Sequence, residues 1–166
     1  MAEISAENFE RYQEENGDWN YEKQWEQSKI VFESFYEYLQ EKGLKEPTAA
    51  EKTNIVVFFF MKFVFIYCDE VESMLDVDDD SVRVFLGNWY IRKFFSPRTK
   101  EINKFLVAIA DFYKFLHKKG FFSENSLMMI KEVCKDREWF AARLKGYFDS
   151  EGADFEDWIM DYNYEF

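Results

Sequence analysis

Residues 82–122, VRVFLGNWYIRKFFSPRTKEINKFLVAIADFYKFLHKKGFF, decide the fold. They read as two amphipathic helices that meet at Ser96-Pro97. The first is opened by Asp76, Asp78, Asp79, Asp80 and Ser81, because carboxylates favour the positive end of a helix dipole and Asp or Ser supplies an N-cap. It runs through Val82, Phe85, Leu86, Trp89 and Tyr90 to Phe94 and Phe95. Ser96-Pro97 reads as the cap of the second, with Pro at the first helical position and Gly120 as the stop. At about 100° per residue, Ile102, Phe105, Leu106, Ile109, Phe112, Tyr113 and Leu116 share one arc, the expected core face. Lys100, Lys104, Lys114 and Lys118 share the opposite arc, with Val107 and Asp111 among them and Phe115 on the flank.

Helices are also expected on either side. The chain has 166 residues, 48% hydrophobic and 21% aromatic, but only 6 Gly and 2 Pro, too little turn punctuation for a many-stranded protein. A polar first segment, residues 1–17, predicts a helix from near Ser5 to Asn16-Gly17. A long amphipathic helix follows from Asp18 to Gly43, with Trp25, Phe32, Phe35, Tyr36 and Leu39 at three- and four-residue steps. Thr48 and Glu51 form a capping-box pattern after Pro47. The run from Ile55 to Cys68 is apolar apart from Lys62 and shorter than the roughly 20 residues of a membrane span. That composition suits a buried strand as well as a helix. The capping box favours a helix, either central to the core or covered by a second subunit. A further helix is predicted through Ile130, Val133, Cys134, Phe140 and Leu144 to Gly146.

Charge is distributed unevenly. Against a net charge of −12, residues 1–27 carry −6, residues 28–91 carry −6, residues 92–148 carry +7 and residues 149–166 carry −7. A basic block thus sits inside an acidic protein, and repulsion from a polyanion is expected except at one face. Two readings of the lysine stripe stand side by side. It is a solvated helix face, or it neutralises phosphates while Phe115 offers a stacking contact. On the second reading Arg92, Lys93, Arg98 and Lys119 extend the patch.

The second helix carries a resemblance. Phe85-Leu86 in one helix, Ser96 and Thr99 opening the next, then Leu106, Ile109, Phe112-Tyr113, Phe115-Leu116 and Gly120, with Asn125 after the turn, resembles the N-terminal SAM-like core-binding domain of tyrosine recombinases and phage integrases. The similarity covers residues 82–125 and extends loosely to the helix holding Phe35, Tyr38 and Leu39, about two thirds of the chain in all. It implies a small helical bundle that clamps one side of duplex DNA. In that family the catalytic Arg, Lys, His and Tyr lie in a second domain, which does not follow Asn125 here, and His117 is the only histidine. The match therefore implies a scaffold and no recombinase activity.

No phosphate loop, CxxC, HExxH or GxSxG is present, and the Asp76–Ser81 run departs from a calcium loop at Ser81 and at Gly87, where that loop needs Gly and Glu. No enzyme activity, cofactor, metal site or small-molecule substrate is expected. Cys68 and Cys134 are isolated and residues 1–16 are acidic without an apolar run, so the expected setting is reduced and cytoplasmic, with no membrane span. In the tail, residues 149–166, Phe155, Trp158, Ile159 and Tyr162 share one helical face among seven acids. Those four either pack on the bundle, lay their acids over the lysine stripe, or anchor a protein partner. The fold expected is an all-α, orthogonal SAM-like bundle of about six helices with its core in residues 18–148. Duplex DNA is one candidate partner; a protein partner or self-association is the other.

Overall fold

In the computed structural model, which describes residues 3–164, Asn20 opens the first long helix by accepting a hydrogen bond from the Lys23 amide at 3.1 Å. This helix, α1 (Tyr21–Glu41), ends where Gly43 takes a φ of +98°, a conformation that only glycine adopts without strain. Next, α2 (46–67) begins as Glu46–Phe58, passes through a π-helical stretch at Phe59–Val64 and closes as Phe65–Tyr67. The third helix, α3 (79–93), repeats that plan: Asp79–Val84, a π-helical stretch at Phe85–Trp89, then Tyr90–Lys93. The remaining four are α4 (Thr99–Lys118), α5 (Glu124–Lys135), α6 (Arg137–Asp149) and α7 (Ala153–Met160). Among the described residues there are seven helices and no strand, so the chain is an all-α multi-helix bundle.

Helix α4 is central, packing against α1, α2, α5 and α6. The apolar run of α2 is helical and lies in the core, with Phe59, Phe60, Phe63, Val64 and Phe65 all buried. The two π-helical stretches meet there. Phe85 lies 5.0 Å from both Phe59 and Phe63, and Trp89 lies 5.5 Å from Phe63.

Four local expectations are corrected. The first segment forms only one helical turn, Ala6–Asn8. Beyond it the backbone is held by other parts of the chain: Gln24 accepts from the Tyr12 amide at 2.9 Å and donates to the Glu10 carbonyl at 2.8 Å, and the Met74 amide donates to the Phe9 carbonyl at 2.8 Å. The segment is a strap anchored by buried Phe9. Second, α2 starts at Glu46, ahead of Thr48, because Pro47 in the first turn is already set to a helical φ. Third, α4 begins at Thr99 with Arg98 as its N-cap. Ser96 is kept from helical geometry by the proline after it, and Pro97 is buried in the connection. Fourth, the single helix expected over residues 130–146 is two, α5 and α6, broken at Asp136, whose carboxylate takes Arg83 at 3.1 Å. Gly146 lies within α6, where a Cβ would stand 3.3 Å from Trp158 Cδ1.

Gly87 is more tightly constrained. A Cβ there would lie 2.6 and 2.7 Å from Cζ3 and Cη2 of Trp139. That ring cannot swing away easily, since Arg83 covers it at 4.5 Å and Phe140 and Tyr162 meet it edge-on at 4.9 and 5.1 Å. Gly87→Ala gains up to about 1 kcal/mol of helix propensity but incurs an overpacking cost of about 1–3 kcal/mol. Urea unfolding is expected to show net destabilisation of about 1–2 kcal/mol, and the same substitution in a Trp139→Ala background is expected to be neutral or stabilising.

Candidate docking face

Thr99–Lys118 has the division that its periodicity predicts. Ile102, Leu106, Ile109, Phe112, Tyr113 and Leu116 are buried, Phe105 is partly buried, and Lys100, Lys104, Lys114 and Lys118 are exposed. Phe115 departs from expectation. It is 0% exposed, with ring centroids 5.5 Å from Phe35 and 5.1 Å from Tyr38. Helix α1 covers that flank of α4, so Phe115 offers no face for base stacking and belongs to the core.

The basic candidates divide into separate groups. Lys104 pairs with Glu51 of α2 at 3.2 Å, while Asp111 takes Lys52 at 2.5 Å and Lys114 at 3.8 Å. Lys118 turns toward α1, its Nζ 5.5 Å from the Tyr38 ring centre, which Lys42 also approaches at 5.2 Å. Lys119 follows on the exposed α4 C-cap. Arg98 pairs locally with Glu101 at 3.4 Å. Arg92 donates from Nε to the Asn88 side chain at 2.6 Å and is thereby tied to the docking of the tail, and Lys93 is exposed beside it.

Lys100, Lys104 and Lys114 are joined by residues that sequence reasoning missed. One cleft of 260 Å³ lies between α2 and α4, walled by Lys52, Ile55, Lys100, Lys104, Val107 and Arg137. A second, of 330 Å³, lies between α4 and α5, walled by Val107, Ala110, Lys114, Lys131, Lys135 and Arg137. They share Val107 and Arg137 as a common wall. Seven bases (Lys52, Lys100, Lys104, Lys114, Lys131, Lys135, Arg137) and two acids (Glu51, Asp111) thus surround a largely apolar floor. Lys131 and Lys135 stand one turn apart on α5, a same-face signal visible in sequence. Its value depends on α5 lying alongside α4, which only the fold provides. A third cleft, of 500 Å³, adjoins the first through Glu51 and Ile55 and is lined by Ala50, Phe58, Phe94 and Phe105.

The tail packs elsewhere. Trp158 is buried, its Nε1 donates to the Arg143 carbonyl at 2.8 Å, and the Arg143 guanidinium lies 4.0 Å from its ring centre. Arg143 also donates to the Gly87 carbonyl at 2.7 Å and the Trp158 carbonyl at 3.1 Å; burial lowers its pKa from the usual arginine value. Asn88 donates to the Ile159 and Asp161 carbonyls at 2.9 and 2.6 Å. Phe155 and Ile159 are half-buried, Phe155 resting 5.7 Å from Tyr147, and Tyr162 is partly exposed against Trp139. Trp158 is thus committed to its own bundle and is not a free anchor for a partner. Among the described residues no tail carboxylate pairs with the lysine stripe. The tail's described residues, up to Tyr164, sit on α6 and the π-helical stretch of α3, and none of them lines the clefts beside Lys100, Lys104 and Lys114.

Burial pushes both the Cys68 and Cys134 thiols up to about 12, and both are free. His117 Nδ1 is 2.8 Å from the Phe122 carbonyl, tying down the turn after α4. Among the described residues no three His, Cys, Asp or Glu side chains are grouped to hold a metal ion, and no helix is long and apolar enough to cross a membrane. No family model, curated protein or solved structure matches this chain.

Two outcomes follow from this placement. Phe115→Ala is expected to reduce stability by about 3–5 kcal/mol in urea titration, as a buried aromatic does when truncated. Raising a thiol's folded pKa above its unfolded value favours the native state while the thiol stays protonated. The folded chain then holds more protons above pH ~9, and stability is lost as pH rises from about 9 toward 12. Unfolding midpoints at pH 8, 9 and 10 check this: a decline above pH ~9 that is reduced in Cys68→Ala/Cys134→Ala is expected.

Proposed function

We propose that this chain is a non-catalytic docking module that holds an anionic macromolecule against the basic face of α4. The observation that carries this reading is the convergence of Lys100, Lys104 and Lys114 with Lys131, Lys135 and Arg137, from three helices, around clefts with an apolar floor. In a chain of net charge −12 this local excess of positive charge is the feature that sets one surface apart. Phosphate and carboxylate partners share the chemistry such a face recognises.

A nucleic-acid version of the reading rests on the resemblance of residues 82–125 to recombinase core-binding domains and on the lysine density. Against it, Phe115 is in the core, and the acidic remainder of the chain repels a long polyanion. A protein version is favoured by Val107, an apolar side chain 37% exposed at the centre of the basic ring, which is the anatomy of a protein interface: apolar centre, polar rim.

Chromatography on heparin at low ionic strength tests the electrostatic core of the proposal. Wild type is expected to be retained and to elute with moderate salt, despite its overall negative charge. Lys100→Glu/Lys104→Glu/Lys114→Glu is expected to flow through, and Lys118→Glu/Lys119→Glu, at the other end of α4, to elute near wild type. Flow-through of the wild type, or equal elution of wild type and the triple variant, overturns it.

A further inference from the structure

The clefts along α4 carry a more specific inference, which rests on the docking reading above. We infer that their occupant is an acidic amphipathic helix of a protein partner, laid along α4 with its apolar stripe on Val107 and its carboxylates on the flanking lysines.

Charge complementarity selects an acidic occupant. Lys100, Lys104 and Arg137 stand around one cleft, Lys114 and Arg137 around the next, and the acids there, Glu51 and Asp111, are already engaged by Lys104 and by Lys52 with Lys114. Those internal pairs hold the lysines along the rim and leave an excess of positive charge. The floor selects against a purely electrostatic ligand. Val107 is 37% exposed in the middle of the ring, and contact with a phosphate backbone would leave it wet. At one end Phe94, 38% exposed, lines the adjoining cleft. An exposed aromatic beside an apolar cleft, continuous with a basic rim, is the pattern of an interface anchor.

Dimensions fit a helix. From Lys100 to Lys114 the face runs about 21 Å along α4, which corresponds to about four turns of a helix laid beside it. Apolar residues at i, i+3 or i+4, and i+7 of such a helix would meet Val107, Ile55 and Phe94 in turn, as in helix-in-groove recognition. The bound helix would be acidic on its flanks, the inverse of α4.

Fluorescence anisotropy with labelled synthetic probes tests this at low and moderate salt. The probes are a Glu-rich helical peptide of about 18 residues with a Leu/Phe stripe at helical spacing, a peptide of the same composition with the stripe scrambled, and a duplex DNA. The striped peptide is expected to bind at least tenfold more tightly than either other probe. Val107→Asp is expected to weaken it at least tenfold, with near-UV circular dichroism unchanged; Val107→Ser provides a milder second variant. Equal binding of the scrambled peptide, tighter binding of the duplex, or indifference to both Val107 variants would sink the helix inference while leaving the basic face as the docking surface. Failure of every anionic probe to bind at low salt would remove both.

Discussion

The contact between two π-helical stretches governs this structure. Phe85 in Phe85–Trp89 sits between Phe59 and Phe63 of Phe59–Val64, at 5.0 Å from each, and Trp89 closes the group against Phe63. Apart from Lys62, α2 is apolar through this region, so all of it but the narrow edge at Lys62 and Ile66 has to be enclosed. The opposite side of the α3 stretch presents Gly87 and Asn88. Trp139 rests on the first, Arg143 bonds to its carbonyl, and Asn88 catches the tail backbone at residues 159 and 161. The positions of α6 and α7 thus depend on how α3 is seated against α2. π-Helical turns recur at functional sites; here the pair serves packing and leaves the basic face to regular α-helix.

Helix α4 connects this core to the surface. One side contributes Ile102, Leu106, Ile109, Phe112 and Tyr113 to the interior, where the Tyr113 hydroxyl donates to the Met74 carbonyl at 2.7 Å. The other side holds the lysines. The burial that fixes the first side also fixes the rotation of the second, so the exposed stripe stays in register with Lys131, Lys135 and Arg137 of the neighbouring helices. Charge that looks diffuse along the sequence becomes concentrated because α5 packs on α4 and the Asp136 break brings Arg137 beside Val107. The described part of the acidic tail is held elsewhere by Trp158 and Arg143, through a cation–π contact and hydrogen bonds to backbone carbonyls, both of short range.

Much of the fold was legible in residue order. Periodicity at three and four residues identified α1 and α4 and the core face of each, and glycine at positive φ marked the ends at Gly43 and Gly120. The misreadings have two causes: partners distant in sequence outweighed local signals at Ser5–Gly17 and Phe115, and a proline's restriction of its neighbours moved the helix starts at Glu46 and Thr99. Ser5–Gly17 had helix-compatible composition, but Gln24 and Met74 supply its backbone partners from other elements. Ser96-Pro97 looked like a cap, yet the helix starts after it. Phe115 lay on the flank of the wheel, where periodicity alone cannot tell a solvent-facing position from one covered by α1.

The sequence by itself determined that the chain is helical, that α4 is half core and half lysine, and that of the four charge blocks only residues 92–148 carry a net positive charge. These are properties of spacing and composition, carried by neighbours within a few turns. Only the tertiary structure decided that Phe115 is core, that Trp158 is bound to Arg143, and that Lys131, Lys135 and Arg137 complete a basic ring around Val107. Each of these depends on which helix lies beside which, and that is set by the enclosure of Phe59, Phe63 and Phe85, a packing constraint between segments more than twenty residues apart.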